Sequence, residues 1–299
     1  RFMLLYFRAC CDMFITLKRK HETALIKDAL FLLKNGESEK AAEILRTPLC
    51  EAAAALRGEI ESLGGLLFEL IGIQLDVEHY LTNSWERGAT LDTIDNNITD
   101  LPWLLGRIEY SLTLDDAERI AFTKRLINRN HVERDEIYYS VALHGLASLG
   151  VAQEGEFYMN YQGDRPQYKK TPIPMSMTRV YDHFSLKARF GGFSDCDYSL
   201  KMIFRADGNR ETSDLLIKAN GSTVYRGTKY GGRKDEKFDS EMLAPGFESA
   251  EYTIKKEFFI NGTLELDITE PTEGFEFCEI FIRKAKTFFR TTLFTQVND

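Results

Sequence analysis

The sequence predicts an α+β chain of more than one domain: an N-terminal helical bundle followed by a C-terminal antiparallel β-sandwich. Two observations carry this reading. Across residues 1–150 apolar residues recur at three- and four-residue spacing, whereas from Tyr181 to Lys284 they alternate with polar ones, so the hydrophobic period switches from that of a helix to that of a strand. The alternating runs are also separated by turn signals: Asp207-Gly208-Asn209, Asn220-Gly221, Gly231-Gly232 and Asn261-Gly262. With 299 residues the chain has room for two cores. The expected division is a helical domain over 1–150, a linker with a first strand over 151–180, rich in glycine, proline and tyrosine, and the sandwich over 181–299.

In chain order, a first helix is expected from Phe2 to Lys34, with Phe7, Cys10, Phe14 and Leu17 buried and the face around Leu4, Leu5 and Cys11 covered or seated in an interface. Asn35-Gly36 ends it with residues that tolerate positive φ. Ser38 is expected to cap a short helix through Leu45, and Pro48 to start the next, which runs on to Ile73. From Asp76 to Leu112 the pattern breaks up, and an irregular segment carrying both tryptophans is expected. Thr113 is expected to cap a helix with Asp115 and Asp116 in its first turn. Glu136–Leu149 reads as helical or extended. The sandwich strands follow from Leu186–Phe190, Tyr198–Phe204, Leu215–Lys218, Glu251–Lys255, Leu264–Ile268 and Phe277–Ile282.

Composition excludes several functions. A net charge of −8 argues against a nucleic-acid partner, which needs a basic face. The apolar stretch at Phe2–Leu17 is interrupted by Arg8 and Asp12 and is too short to span a bilayer. The five cysteines are odd in number and match no zinc spacing, so a buried, reduced role is expected. The five histidines are never at ligand spacing, and no metal or other cofactor follows from them. Compartment stays open between periplasmic, secreted and cytoplasmic. The chain opens at Arg1 rather than methionine, from which a longer parent protein is expected.

Nucleophile elbows, phosphate-binding loops and zinc-protease motifs are absent from the sequence. Among carboxylates, Asp92 and Asp95 lie near Trp85 and Arg87 and are the preferred polar candidates, with Trp103 in the same segment. Aromatics give the stronger clue. Tyr158, Tyr161, Tyr168, Tyr181, Tyr225 and Tyr230 fall in loops or strand ends of the sandwich, where an exposed ring could stack on a sugar face while Asp, Asn and Arg bond its hydroxyls. Asn97-Ile98-Thr99, Asn220-Gly221-Ser222 and Asn261-Gly262-Thr263 match the glycosylation sequon, and the latter two read as hairpin turns.

The order of strands Tyr198–Phe204, Asp214–Tyr225 with its Asn220-Gly221, Tyr252–Ile254, Asn261–Leu266 and Cys278–Lys284 resembles the galactose-binding-like or malectin-like jelly roll. Ile71–Leu75 and Arg87–Asp92 are similar to the region that follows the catalytic domain in large bacterial carbohydrate-active proteins. The resemblance implies a jelly roll, carbohydrate as partner, and a catalytic domain N-terminal to this chain. It also implies a structural calcium in some members, although no acidic cluster here matches a calcium loop. The expectation is a non-catalytic carbohydrate-binding or accessory region of a bacterial glycoside-hydrolase-associated protein. The alternatives are a structural module that packs on a catalytic domain, and a glycoside-processing enzyme with its site near Trp85–Trp103.

Overall fold

The computed structural model describes residues 4, 8, 11, 22–76, 100–129, 136–140, 152–154, 157–161, 168–174, 176–180, 183–189, 196–206, 213–272 and 274–285. The description below concerns these residues. None of their helices is long and apolar enough to cross a membrane.

Four helices come first: α1 (Glu22–Lys34), α2 (Ser38–Ile71), α3 (Asp100–Leu112) and α4 (Asp116–Asn128). They share one hydrophobic cluster that includes Ala29, Leu33, Leu45, Ile60, Leu63, Leu104, Ile108, Phe122 and Leu126. The turn after α1 closes at Gly36, whose φ is +81° and whose N–H bonds the carbonyl of Leu33.

Several expectations are corrected here. Pro48 does not start a helix; it lies inside the continuous α2. An interior proline costs about 3 kcal/mol, and Ala41, Ala42, Leu45, Ala52, Ile60 and Leu63 on either side are buried in the same cluster. Burying several such side chains outweighs that cost. Glu37, not Ser38, occupies the cap position of α2. The cap of α4 is Asp115, whose carboxylate accepts from the Glu118 N–H at 2.9 Å. Thr113 instead turns its hydroxyl to the carbonyl of Tyr110. The segment expected to be irregular holds α3, and on the chain alone Leu4 and Cys11 are exposed. Of the described cysteines only Cys278 is buried. Phe7, Cys10, Phe14 and Leu17 lie outside the described residues.

The strands are β1 (Ile137–Ser140), β2 (Ala152–Glu154), β3 (Phe157–Tyr161), β4 (Ser176–Val180), β5 (His183–Arg189), β6 (Tyr198–Arg205), β7 (Leu215–Ala219), β8 (Ser222–Gly227), β9 (Phe247–Ile254), β10 (Thr263–Thr269) and β11 (Phe275–Lys284), with a short helix α5 (Glu236–Met242) before β9. The first four strands precede residue 181: β1 falls in the stretch read as helical or extended, and β2–β4 fall in the stretch read as a linker with a first strand. One sheet runs β3-β4-β11-β6-β9, with β1 also on β11; the other runs β2-β5-β10-β7-β8. The pairings nest: β4 with β11, β5 with β10, β6 with β9 and β7 with β8, all antiparallel. Eight strands thus form one long antiparallel hairpin rolled across two sheets, which is the jelly-roll connection.

Between the sheets lies a core of alternating inward residues, among them Phe184, Leu186, Leu200, Met202, Phe204, Ile217, Leu264, Leu266, Ile268, Phe277 and Ile280. The outer face of the β3–β9 sheet is covered as well. Tyr168, Ile173, Leu243, Ala244 and Phe247 pack there with Ile203, Cys278 and Phe281. Double cover explains why β11 is buried at almost every position. A register shift between Phe277 and Glu279 turns both Cys278 and Glu279 toward the outer side.

There the helices meet the sandwich. Arg107 of α3 is fully buried and donates to the carbonyls of Thr171 (2.8 Å), Pro174 (2.9 Å), Tyr168 (3.1 Å) and Trp103 (3.3 Å). Arg129, just past α4, bonds the buried Glu279 and the Tyr138 hydroxyl, the latter at 3.2 Å.

Candidate functional site

The 168–174 segment and α5 cover one outer face of the sandwich, and α3 and α4 meet it through Trp103, Arg107 and Arg129; among the described residues, the broad face left for a ligand is the outer side of the β2–β8 sheet. Alternation builds it. On β10 Leu264, Leu266 and Ile268 point into the core, which leaves Thr263, Glu265, Asp267 and Thr269 outward and half-exposed. On β7 the outward residues are Leu216 and Lys218, and on β5 they include His183 and Ser185.

Register sets these side chains in rows across the sheet. Ser185, Asp267, Lys218 and Thr223 form one row, and His183, Thr269, Leu216 and Arg226 the next. Strands lie about 4.8 Å apart, so a row of four spans about 14 Å. Within the face, the His183 Nε2 lies 3.3 Å from an Asp267 carboxylate oxygen, and Arg226 grips Asp214 through two nitrogens at 3.1 and 3.3 Å. Among the described residues the Lys218 ammonium has no side-chain partner, although it stands opposite Asp267. Donors (Lys218, Ser185, Thr269) and acceptors (Asp267, Glu265) thus converge on one flat, solvated surface. Such a surface can hydrogen-bond a polyhydroxylated chain.

The aromatics expected to bind are placed elsewhere. Trp103 and Tyr168 come together at the helix–sandwich junction, and both are buried. The Trp103 ring lies between the guanidiniums of Arg107 and Arg129, each 4.4 Å from its centroid, and its indole N–H bonds the Pro174 carbonyl at 3.3 Å. Tyr168 packs edge-on against Phe247. Tyr230 is buried, with its hydroxyl on the Arg205 carbonyl at 2.6 Å. Tyr225 is half-buried, stacks against Tyr252 and donates to the Thr228 carbonyl. These four rings are used in packing, because each hydroxyl or ring face finds a protein partner in the folded chain. Tyr158 and Tyr161 lie on β3 opposite Arg179 and Ser176. Trp85, Arg87, Asp92, Asp95 and Tyr181 lie outside the described residues. Among the described residues no group of three or more potential metal ligands forms.

The residues of the sheet face were not singled out from sequence. Their signal was present in the runs Leu264-Glu265-Leu266-Asp267-Ile268 and Leu215-Leu216-Ile217-Lys218, whose polar positions are the outward ones.

No family model matches this chain, and no curated protein does. Solved structures do. A family 35 carbohydrate-binding module from Clostridium thermocellum is similar at 10% identity, covering 50% of this chain and 98% of the module, with a TM-score of 0.32. The C-terminal family 6 module of LamC, a laminarinase from Zobellia galactanivorans, is similar at 10% identity over 50% of this chain and 99% of its own, TM-score 0.28. The family GH115 4-O-methyl-α-glucuronidase BtGH115A is similar at 12% identity over 87% of this chain, TM-score 0.34, and the match spans 33% of that enzyme.

Proposed function

We propose that this chain is a non-catalytic carbohydrate-binding or accessory region of a bacterial polysaccharide-processing protein associated with glycoside hydrolysis. The observation that supports the reading is the asymmetry of the sandwich. One outer face is covered by the 168–174 segment and α5, and the other is left as a solvated field of hydrogen-bonding side chains in register. A saccharide binds by such contacts with modest affinity, since half-exposed polar groups gain little on exchanging water for a hydroxyl. The proposed division of labour is a helical part over 1–150 that serves as a mount and a sandwich over 181–299 that binds. The test is a panel of soluble polysaccharides in affinity electrophoresis, with chromogenic glycosides assayed beside it. Retardation by at least one polysaccharide without turnover of any glycoside is expected. Turnover, or no retardation by any member of the panel, would refute the reading.

A second reading has its own support. At the end of α2, Phe68, Leu70, Ile71 and Ile73 are 53–61% exposed. Apolar groups gathered in this way are characteristic of surfaces that pack on another domain. On this reading the chain is a structural module seated against a catalytic domain. Co-purification with a separately expressed N-terminal portion, lost in Phe68→Ser/Ile71→Ser, is the outcome it requires.

A further inference from the structure

Beside the helix–sandwich junction lies a cleft of about 490 Å³ whose wall includes Arg129 from the end of α4, Lys237 and Glu241 on α5, Asp235 at the cap of α5, and Arg283 on β11. The charges around it are unequal in kind. Two guanidiniums, Arg107 and Arg129, are buried at the junction with a single buried carboxylate, Glu279. Arg107 is satisfied by carbonyls, but Arg129 is not: its Nη2 bonds Glu279 and Tyr138, while its Nε and Nη1 are buried with no hydrogen-bond partner among the described residues. Leaving buried cationic donors unmet is costly. Of the two acids in the wall, Asp235 is committed, since it accepts from the Phe238 N–H at 3.1 Å and from the Lys201 ammonium at 2.6 Å.

We propose that this cleft binds a compact oxyanion, a phosphate, sulfate or carboxylate group, held by Arg129 at the back and by Lys237 at the mouth, where Arg283, whose Nε lies 3.6 Å from a Glu136 carboxylate oxygen, adds a second cation. Guanidinium donors match the planar or tetrahedral oxygens of such groups. Glu241 is left to accept an O–H, as from hydrogen phosphate or a hydroxyl on a larger ligand. The site lies apart from the β2–β8 sheet face and stands or falls independently of the carbohydrate reading.

The experiment is isothermal titration of the full chain with sodium phosphate, sodium sulfate and glucose 6-phosphate, with sodium chloride as control. Saturable one-to-one heats are expected with phosphate. Lys237→Gln and Arg283→Gln, both at the surface, should each weaken binding about tenfold, the worth of one charge-assisted hydrogen bond. Asp267→Asn on the sheet face should leave it unchanged. Tighter binding of glucose 6-phosphate than of phosphate assigns the site to the acidic group of a larger ligand, and equal or weaker binding assigns it to a free anion. Absence of saturable heat, an equal response to chloride, or undiminished affinity in both variants would overturn the proposal.

Discussion

Two hairpin turns of this sandwich share the sequence Asn-Gly, and the structure predicts that they respond very differently to the same substitution. Asn220 and Asn261 both take left-handed backbone, with φ of 46° and 51°. Replacing either by alanine costs about 1 kcal/mol for a Cβ in that region without asparagine's local compensation. Asn220 does more. Its amide donates to the carbonyls of Phe258 (2.7 Å) and Thr263 (2.9 Å), and its side-chain oxygen accepts from the Glu265 N–H at 3.0 Å. It therefore ties β7 to β10 and to the turn after β9. Three net hydrogen bonds at about 1 kcal/mol each, discounted because the residue is half-exposed, bring Asn220→Ala to about 3 kcal/mol. Asn261 is exposed with no side-chain hydrogen bond among the described residues, so Asn261→Ala should cost about 1 kcal/mol. Urea unfolding followed by tyrosine fluorescence measures both, and a gap of about 2 kcal/mol between the variants is expected. Equal costs would refute the claim that Asn220 acts as a three-way tie.

Further outcomes follow from other sites. Arg107→Met keeps bulk but strips the donors from three carbonyls of 168–174, so about 3 kcal/mol or more should be lost and proteolysis between the helices and the sandwich should accelerate. Gly232→Ala places a methyl 2.8 Å from the Glu251 carbonyl oxygen, a backbone atom that β9 holds in place, and should lower stability by about 1–3 kcal/mol by thermal unfolding. Asp197 accepts from the Lys256 N–H and pairs with Lys255, which holds its carboxyl below the ordinary 3.8. A depressed carboxylate contributes stability above its unfolded pKa and loses it as pH falls through the folded one. Asp197→Asn should therefore flatten the decline in stability below about pH 4, measured by urea midpoints at pH 3 and pH 5, and an unchanged slope would count against the assignment.

Strands were the most legible part of this chain, because alternation in Tyr198–Phe204 or Leu264–Ile268 is local and each face answers to one environment. The Asn-Gly turns were legible for the same reason. Helix α3 was not, since Pro102 and Gly106 interrupt its pattern. The proline falls in the first turn, where its missing N–H is harmless. The glycine lies where a Cβ would come within 3.0 Å of the Lys169 side chain. Pro48 misled in the opposite direction, because only tertiary burial decides whether a helix runs through a proline. The tyrosines show the largest gap. A tyrosine in a loop reads the same whether its ring faces water or packs under Phe247, as that of Tyr168 does. Burial of Trp103 between two arginines depends on α3, α4 and the 168–174 segment meeting, and no local pattern announces that. The bulge that sends Glu279 to Arg129 is equally silent in sequence.

On the proposed function, the β2–β8 sheet face receives the saccharide. Backbone amide chemical shifts of the full chain, followed during titration with the best-retained polysaccharide oligomer, test it most directly. The perturbed amides should map to β5, β10 and β7 around Ser185, Asp267 and Lys218, and Lys218→Ala/Asp267→Ala should abolish the changes. Shifts confined to the junction around Arg129 or to the end of α2, or binding that survives the double substitution, would contradict it.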